Sequence, residues 1–234
     1  MASLIEDSSL RDRVRVFADR TDAGKRLASL LAGYGVPSRD SGGDSGGIVF
    51  AIPAGGVPVA AEIASALRLS LELLITRKLQ IPYNPEAGFG AVTPDGEVVF
   101  NEDLMRYLKL SGDDIRKAVE RTMENIRQRE QLFRQGRPYP EVRGKTVLVV
   151  DDGLASGFTM RAAVRFLRKS SPGRVVVAVP TGLESTLRRI MQDAAEVVCL
   201  NVRTGVPFAV AAAYRKWHDL TDADVLNLIH KFGT

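Results

Sequence analysis

Short β-branched runs that alternate with helix-length stretches leave a chain few ways to fold, and residues 145–170 show the alternation most sharply. Their sequence is KTVLVVDDGLASGFTMRAAVRFLRKS. Four apolar residues form a strand that is apolar on both faces, which suits the middle of a sheet covered on both sides. A loop of acidic, small and hydroxylated residues follows, and then a helix. The same order recurs at 48–68, where IVFAIP is followed by a Gly-Gly turn and VPVAAEIASALR, and again at 174–192. Further strands are predicted at 71–76 and 196–200. Strands alternating with helices define βαβ units, hence an α/β fold with a mainly parallel twisted sheet flanked by helices. Their crossovers are right-handed. Ligands of such sheets bind at the carboxyl ends of the strands. That rule selects residues 53–57, 76–78 and 151–159.

The remaining segments surround this frame. Residues 17–35, FADRTDAGKRLASLLAGYG, read as a helix with Thr21 or Asp22 as its cap and Gly33 and Gly35 at its end. Residues 38–47, SRDSGGDSGG, read as a flexible surface loop. Residues 80–103 carry Pro82, Pro85, Gly88, Gly90, Pro94 and Gly96 between short apolar pieces, the pattern of a β-hairpin-like insertion with mobile ends. Ser111 opens a long helix with Asp113 and Asp114 in its first turn, and Gly136 and Pro138 stop it. The tail ends in a short helix capped by Thr221, with Asp224 three residues on. The chain thus divides into a core at 1–204, which carries the insertion at about 80–105, and a tail at 205–234.

Composition narrows the chemistry. The 234 residues include one cysteine and two histidines, which excludes an intrachain disulfide framework, a cysteine-rich zinc site and a multi-histidine metal centre. Cys199 lies in the apolar run EVVCLN and reads as a buried, inert thiol. No apolar run reaches the roughly 18 residues of a spanning helix. The N-terminus is too polar for a signal peptide, so a cytoplasmic protein without a membrane partner is expected. Net charge is +4, and the densest basic stretch, residues 106–137, is interleaved with acids. It reads as a solvated, ion-paired helix face rather than a nucleic-acid surface, and the basic excess equally suits a polyanionic small molecule.

The stretch 147–159, VLVVDDGLASGFT, carries most of the chemistry. Small residues let successive backbone N–H groups converge on one point, and the start of the next helix adds about half a positive charge there. Together they make a phosphate cradle, with the Ser156 and Thr159 hydroxyls as further donors. Asp151 and Asp152 would repel a phosphate, so they face hydroxyl groups or a hydrated Mg²⁺ of the same ligand. A sugar phosphate offers both. Acids at a strand end also cap helices, but capping needs neither two of them nor a loop of glycines and hydroxyls.

This stretch resembles the 5-phosphoribosyl 1-diphosphate (PRPP) signature of the type I phosphoribosyltransferases. DRTDAGKRLA at 19–28, IPAGGVPVAAEIA at 52–64, TRKL at 76–79 and NED at 101–103 resemble a bacterial and archaeal branch of predicted phosphoribosyltransferases. The resemblance implies that Asp151 and Asp152 hold the ribose hydroxyls, directly or through Mg²⁺. It implies that Ala155, Ser156, Gly157, Phe158 and Thr159 bind the 5-phosphate. Ala54, Gly55 and Gly56 would form the diphosphate loop, where one peptide bond is often cis, and Arg77 and Lys78 would neutralise the diphosphate. The insertion would be a lid, and the tail around 208–217 part of a hood over the acceptor. A homodimer is the expected assembly.

Two positions depart from the family. Ala54 stands where the branch commonly has arginine, which leaves mainly backbone donors for diphosphate. Ala155 stands where hypoxanthine-guanine enzymes carry an aspartate that exchanges a proton with the purine. That argues against a 6-oxopurine handled in that way and leaves adenine and pyrimidines open. The implied activity is Mg²⁺-dependent phosphoribosyl transfer from PRPP to a nucleobase-like nitrogenous acceptor, with diphosphate released and with Asp151, Asp152 and Lys78 as the catalytic side chains. The alternative is a PRPP- or nucleotide-sensing regulator that keeps the pocket without turnover. Trp217 and His218 suit packing under the last helix as well as contact with a base.

Overall fold

A computed structural model describes residues 3–36, 47–82, 84–194 and 196–232, the side chains of residues 85 and 86 aside. Six strands form a parallel sheet: β1 (Ser3–Glu6), β2 (Ile48–Ala51), β3 (Ser70–Leu73), β7 (Thr146–Val150), β8 (Arg174–Leu183) and β9 (Glu196–Arg203). They lie in the order β1-β9-β8-β7-β2-β3. Side chains alternate across a strand, and β7 feeds two cores in this way. Leu148 and Val150 pack with α1 (Arg20–Gly33) and α2 (Gly56–Leu67), through residues such as Leu27, Leu31 and Ile63. Val147 and Val149 pack on the other face with α5 (Phe158–Arg168) and α6 (Glu184–Ile190), through Met160, Val164, Leu187 and Ile190. The doubly covered parallel sheet is the one expected from the strand–helix alternation.

A second, antiparallel sheet orders β4 (Arg77–Ile81), β5 (Asn84–Val92) and β6 (Val98–Phe100). The insertion contains the expected hairpin, β5–β6, but β4 adds a third strand, and the assembly is packed rather than loose. Ala91 and Val99 bury against Phe158 and Ala162 of α5. Leu79 and Phe89 join the core that includes Ile126 and Phe133 of α4 (Gly112–Arg134). The short helix α3 (Glu102–Tyr107) follows, capped by Asn101.

Several boundaries differ from expectation. The cap of α1 is Asp19, whose carboxylate accepts the Asp22 amide at 2.9 Å while Asp22 accepts the Ala18 amide at 2.9 Å. Thr21 and Asp22 therefore sit inside the first turn. The strand predicted at 71–76 stops at Leu73. The Leu74 amide still donates to Ala51 but that of Thr76 turns back to Leu74, so Arg77 and Lys78 open β4 rather than end β3. Strand β1 was not anticipated. It has four half-buried residues paired in parallel with β9, too short and too polar for its pattern to stand out. The caps of α4 and of α7 (Asp222–Phe232) are as expected: Ser111 exchanges hydrogen bonds with Asp114, and Thr221 with Asp224. The loop predicted at 38–47 lies largely outside the described residues. Among the described residues no helix is long and apolar enough to cross a membrane.

The tail threads back along the segment before α1. Arg15 and Phe17 donate to Ala212 and Ala213, and Arg215 and Lys216 donate to Phe17 and Ala18. This places residues 210–217 at the carboxyl edge of the large sheet.

Candidate active site

Strand β7 ends at Val150, and the next two residues diverge. Asp151 faces a cavity of about 770 Å³, within the range of small-molecule sites. Asp152 turns towards α1. Its Oδ2 accepts from Arg20 Nε at 2.8 Å, and both side chains are nearly buried, at 13% and 8% exposure. Its amide donates to Asp151 Oδ1 at 2.8 Å, and its carbonyl accepts the Tyr214 hydroxyl at 2.6 Å. Burial and the neighbouring Asp152 charge push the Asp151 carboxyl well above the usual carboxylate range. Burial raises Asp152 too, and Arg20 pulls it back.

The loop that follows is fastened at both ends. Leu154 donates to Thr181 and accepts from Leu183, which ties the loop to β8, and the Thr186 hydroxyl donates to the Ala155 carbonyl at 2.6 Å. Gly157 caps α5 at φ 75°, a left-handed conformation that glycine takes without strain, and a Cβ there would lie 2.6 Å from Thr186 Cγ2. Among the described residues, no acceptor engages the amides of Ala155, Ser156, Gly157, Phe158 or Thr159. Phe158 and Thr159 are unsatisfied donors of the helix start, and Ala155, Ser156 and Gly157 precede them in the loop. Outward donors at the start of an 11-residue helix suit an anion.

Gly55 and Gly56 open α2 directly beside the acids. A Cβ on Gly55 would overlap the Asp152 carboxylate, 2.5 Å from its Cγ, and one on Gly56 would lie 2.6 Å from the Val150 carbonyl oxygen. The Gly56 amide donates to the Ile52 carbonyl at 3.0 Å, which leaves Gly55 as the glycine whose amide can serve a ligand. The Pro53–Ala54 peptide bond is cis, the feature implied by the resemblance for this loop. The cavity wall brings together Pro53, Arg77, Lys78, Asp151 and Thr159. Ala54, Gly55, Gly56, Asp152 and residues 155–158 are not part of that wall.

The contributors missed from sequence include Arg121, Thr122, Asn125 and Asp219, which line the cavity, and Arg20, which holds Asp152. Arg121 of α4 lines the cavity, although the basic stretch around it reads as a solvated face. Its neighbours do pair with acids, Arg116 with Asp113 and Arg127 with Glu124. Arg20 lies in the stretch DRTDAGKRLA with no local sign of its role, and its partner lies 132 positions away. Trp217 packs against Arg20, with the guanidinium 3.8 Å from its ring centroid, and against Tyr214. Cys199 is fully buried, and burial pushes its thiol up, as an inert side chain requires. No cluster of three or more metal-ligating side chains exists among the described residues.

The carboxyl edge of the parallel sheet thus carries an acid pair, a loop of open amides and a cavity wall with Arg77, Lys78 and Arg121 beside Asp151 and Asp219, on an α/β domain. The family model of the phosphoribosyl transferase domain matches residues 92–215, and the chain belongs to that family. Two curated Mycobacterium tuberculosis proteins, from strains CDC 1551 and H37Rv, both bear the name "Putative phosphoribosyl transferase" and are 35% identical over 218 residues. The match takes in 93% of this chain and 47% of theirs, so the chain spans about half the length of these relatives. The crystal structure of TT1426 from Thermus thermophilus is 35% identical with a TM-score of 0.71, covering 92% of this chain and 98% of that one.

Proposed function

We propose that the chain transfers a phosphoribosyl group from PRPP to a nitrogenous, nucleobase-like acceptor. The observation that carries the reading is the set of open amides at residues 155–159 placed one turn of chain from Asp151, beside a cavity walled by Arg77, Lys78 and Arg121. The 5-phosphate sits on the amides and on the Ser156 and Thr159 hydroxyls. Asp151 takes the ribose hydroxyls, and Asp152 supports it from its pair with Arg20. The 54–56 loop, through the Gly55 amide, and Arg77 and Lys78 receive the diphosphate.

In the reaction the bond from ribose C1 to the diphosphate oxygen breaks, the bond from C1 to the acceptor nitrogen forms, and the acceptor loses a proton. The protein stabilises the departing negative charge with fixed donors and cations. The β4–β6 sheet and the tail keep water from the electron-poor ribose. The carboxylate of Asp151, which faces the cavity, fits Mg²⁺, a hard cation that keeps several waters and accepts one or two carboxylates together with substrate oxygens, while Asp152 is engaged by Arg20. When bound, Mg²⁺ supplies charge neutralisation to the diphosphate. With Ala54 the diphosphate has no arginine at that position, which also suits a sensor that binds PRPP without turnover.

The test is diphosphate release from PRPP and Mg²⁺ across a panel of purine and pyrimidine bases. Release with one base and none without Mg²⁺ is expected. Saturable PRPP binding with no release for any base moves the reading to the sensor. No PRPP binding at all overturns both.

A further inference from the structure

We infer that Arg20 is a positioning residue for the acid pair, one that fixes Asp152 and clamps the tail to the same point. The inference rests on the phosphoribosyl-transfer reading. Arg20 is the first residue of α1, which Asp19 caps, so its backbone is held at a defined place. Its side chain makes three different contacts. Nε donates to Asp152 Oδ2 at 2.8 Å, Nη1 donates to the His218 carbonyl at 2.9 Å, and the guanidinium plane lies over Trp217 at 3.8 Å. One planar group thus joins α1, the end of β7 and the tail. A guanidinium can serve a carboxylate, a carbonyl and a ring face at once because its donors are spread around a plane, whereas an ammonium is a point charge.

Arg20 is nearly buried and its donors Nε and Nη1 are taken by Asp152 and the His218 carbonyl, so it acts through Asp152 rather than on a ligand. Asp152 needs such a partner. It sits directly against Gly55, and Arg20 is the cation its carboxylate contacts in this position. Without the guanidinium, a nearly buried carboxylate has no reason to stay there and turns away or drags the Asp151 backbone with it. The contact with the His218 carbonyl carries the same restraint into the tail, so the acid pair and the hood hold their places together.

The test compares wild type with Arg20→Lys and Arg20→Met, by calorimetric titration with PRPP and Mg²⁺ and by the split between kcat and KM for diphosphate release. Removing the partner that orients a metal-ligating side chain typically costs about 10–100-fold in affinity or activity, and the carboxylate pair is expected to fall in the same range. Arg20→Lys, which keeps the charge and can reach Asp152 or His218 but not both, is expected to weaken PRPP binding about tenfold with a melting temperature near wild type. Arg20→Met is expected at the upper end of the range. Adding ethylguanidinium to Arg20→Ala is expected to recover part of the affinity, and to do nothing for wild type. PRPP affinity equal to wild type in folded Arg20→Lys and Arg20→Met, or a drop in melting temperature alone, overturns the positioning role and leaves the proposed transfer standing. Failure of the wild type itself to bind PRPP overturns the transfer reading and this inference with it.

Discussion

Gly55→Ala is expected to lower kcat/KM for diphosphate release about a hundredfold, the loss that a misplacement of roughly 1 Å at a reacting centre produces. The added methyl falls on the Asp152 carboxylate. Aspartate is too short to move aside while keeping its 2.8 Å bond to Arg20. Either the ion pair opens, or the 53–56 loop lifts away from β7. Each outcome separates the 53–56 loop from the acids, which in the proposed transfer share one substrate with it. The backbone at Gly55 has φ −58°, which alanine accepts freely, so the loss reports the contact and not the helix. Gly33→Ala is the control. Its Cβ would meet nothing within 4 Å, and steady-state kinetics are expected to be unchanged.

The largest expected loss of stability is at Arg134, at the end of α4. Its side chain is 2% exposed. It donates to Glu72 at 2.6 Å and to the carbonyls of Leu73, Arg137 and Pro138, and it lies over the Tyr139 ring at 3.9 Å. Glu130 lies at ion-pair distance. These contacts fasten α4, which carries Arg121, to the end of β3. Arg134→Met leaves three carbonyls and the Glu72 carboxylate without their donor. Breaking a buried pair by removing one partner costs about 3–5 kcal/mol, a large share of a typical domain's stability. Urea unfolding is expected to show that loss, and Arg134→Met/Glu72→Gln is expected to recover part of it. A midpoint unchanged by Arg134→Met would show that the network holds nothing.

What the sequence made legible follows from range. The strand, loop and helix at 146–168 are local: apolar residues, then small ones, then a 3.6-residue period, so both the fold of this piece and its open amides could be read from composition and order. The caps Ser111–Asp114 and Thr221–Asp224 are local in the same sense. The site is harder, because it is made where distant segments meet. Nothing near residue 20 says that its guanidinium reaches Asp152, and nothing near Gly55 says that the missing side chain makes room for that same carboxylate. Arg121 was hidden for another reason, since it is exposed like most of its basic neighbours and differs from them in lying at the mouth of the cavity. The third strand of the insertion was lost to the sharp turn after Leu73, where the buried residues Leu74 and Ile75 continue the apolar run although the ladder has ended.

In the proposed site the amides of residues 155–159 hold a phosphate ester while Asp151 holds the hydroxyls of its sugar. The most direct measurement is a crystal structure of the chain with PRPP and Mg²⁺, or with a nucleoside 5-monophosphate. The expected result is the 5-phosphate within hydrogen-bond distance of those amides and the ribose diol facing Asp151. A 5-phosphate seated on Arg77 and Lys78, with the 155–159 amides still donating to nothing, would contradict it.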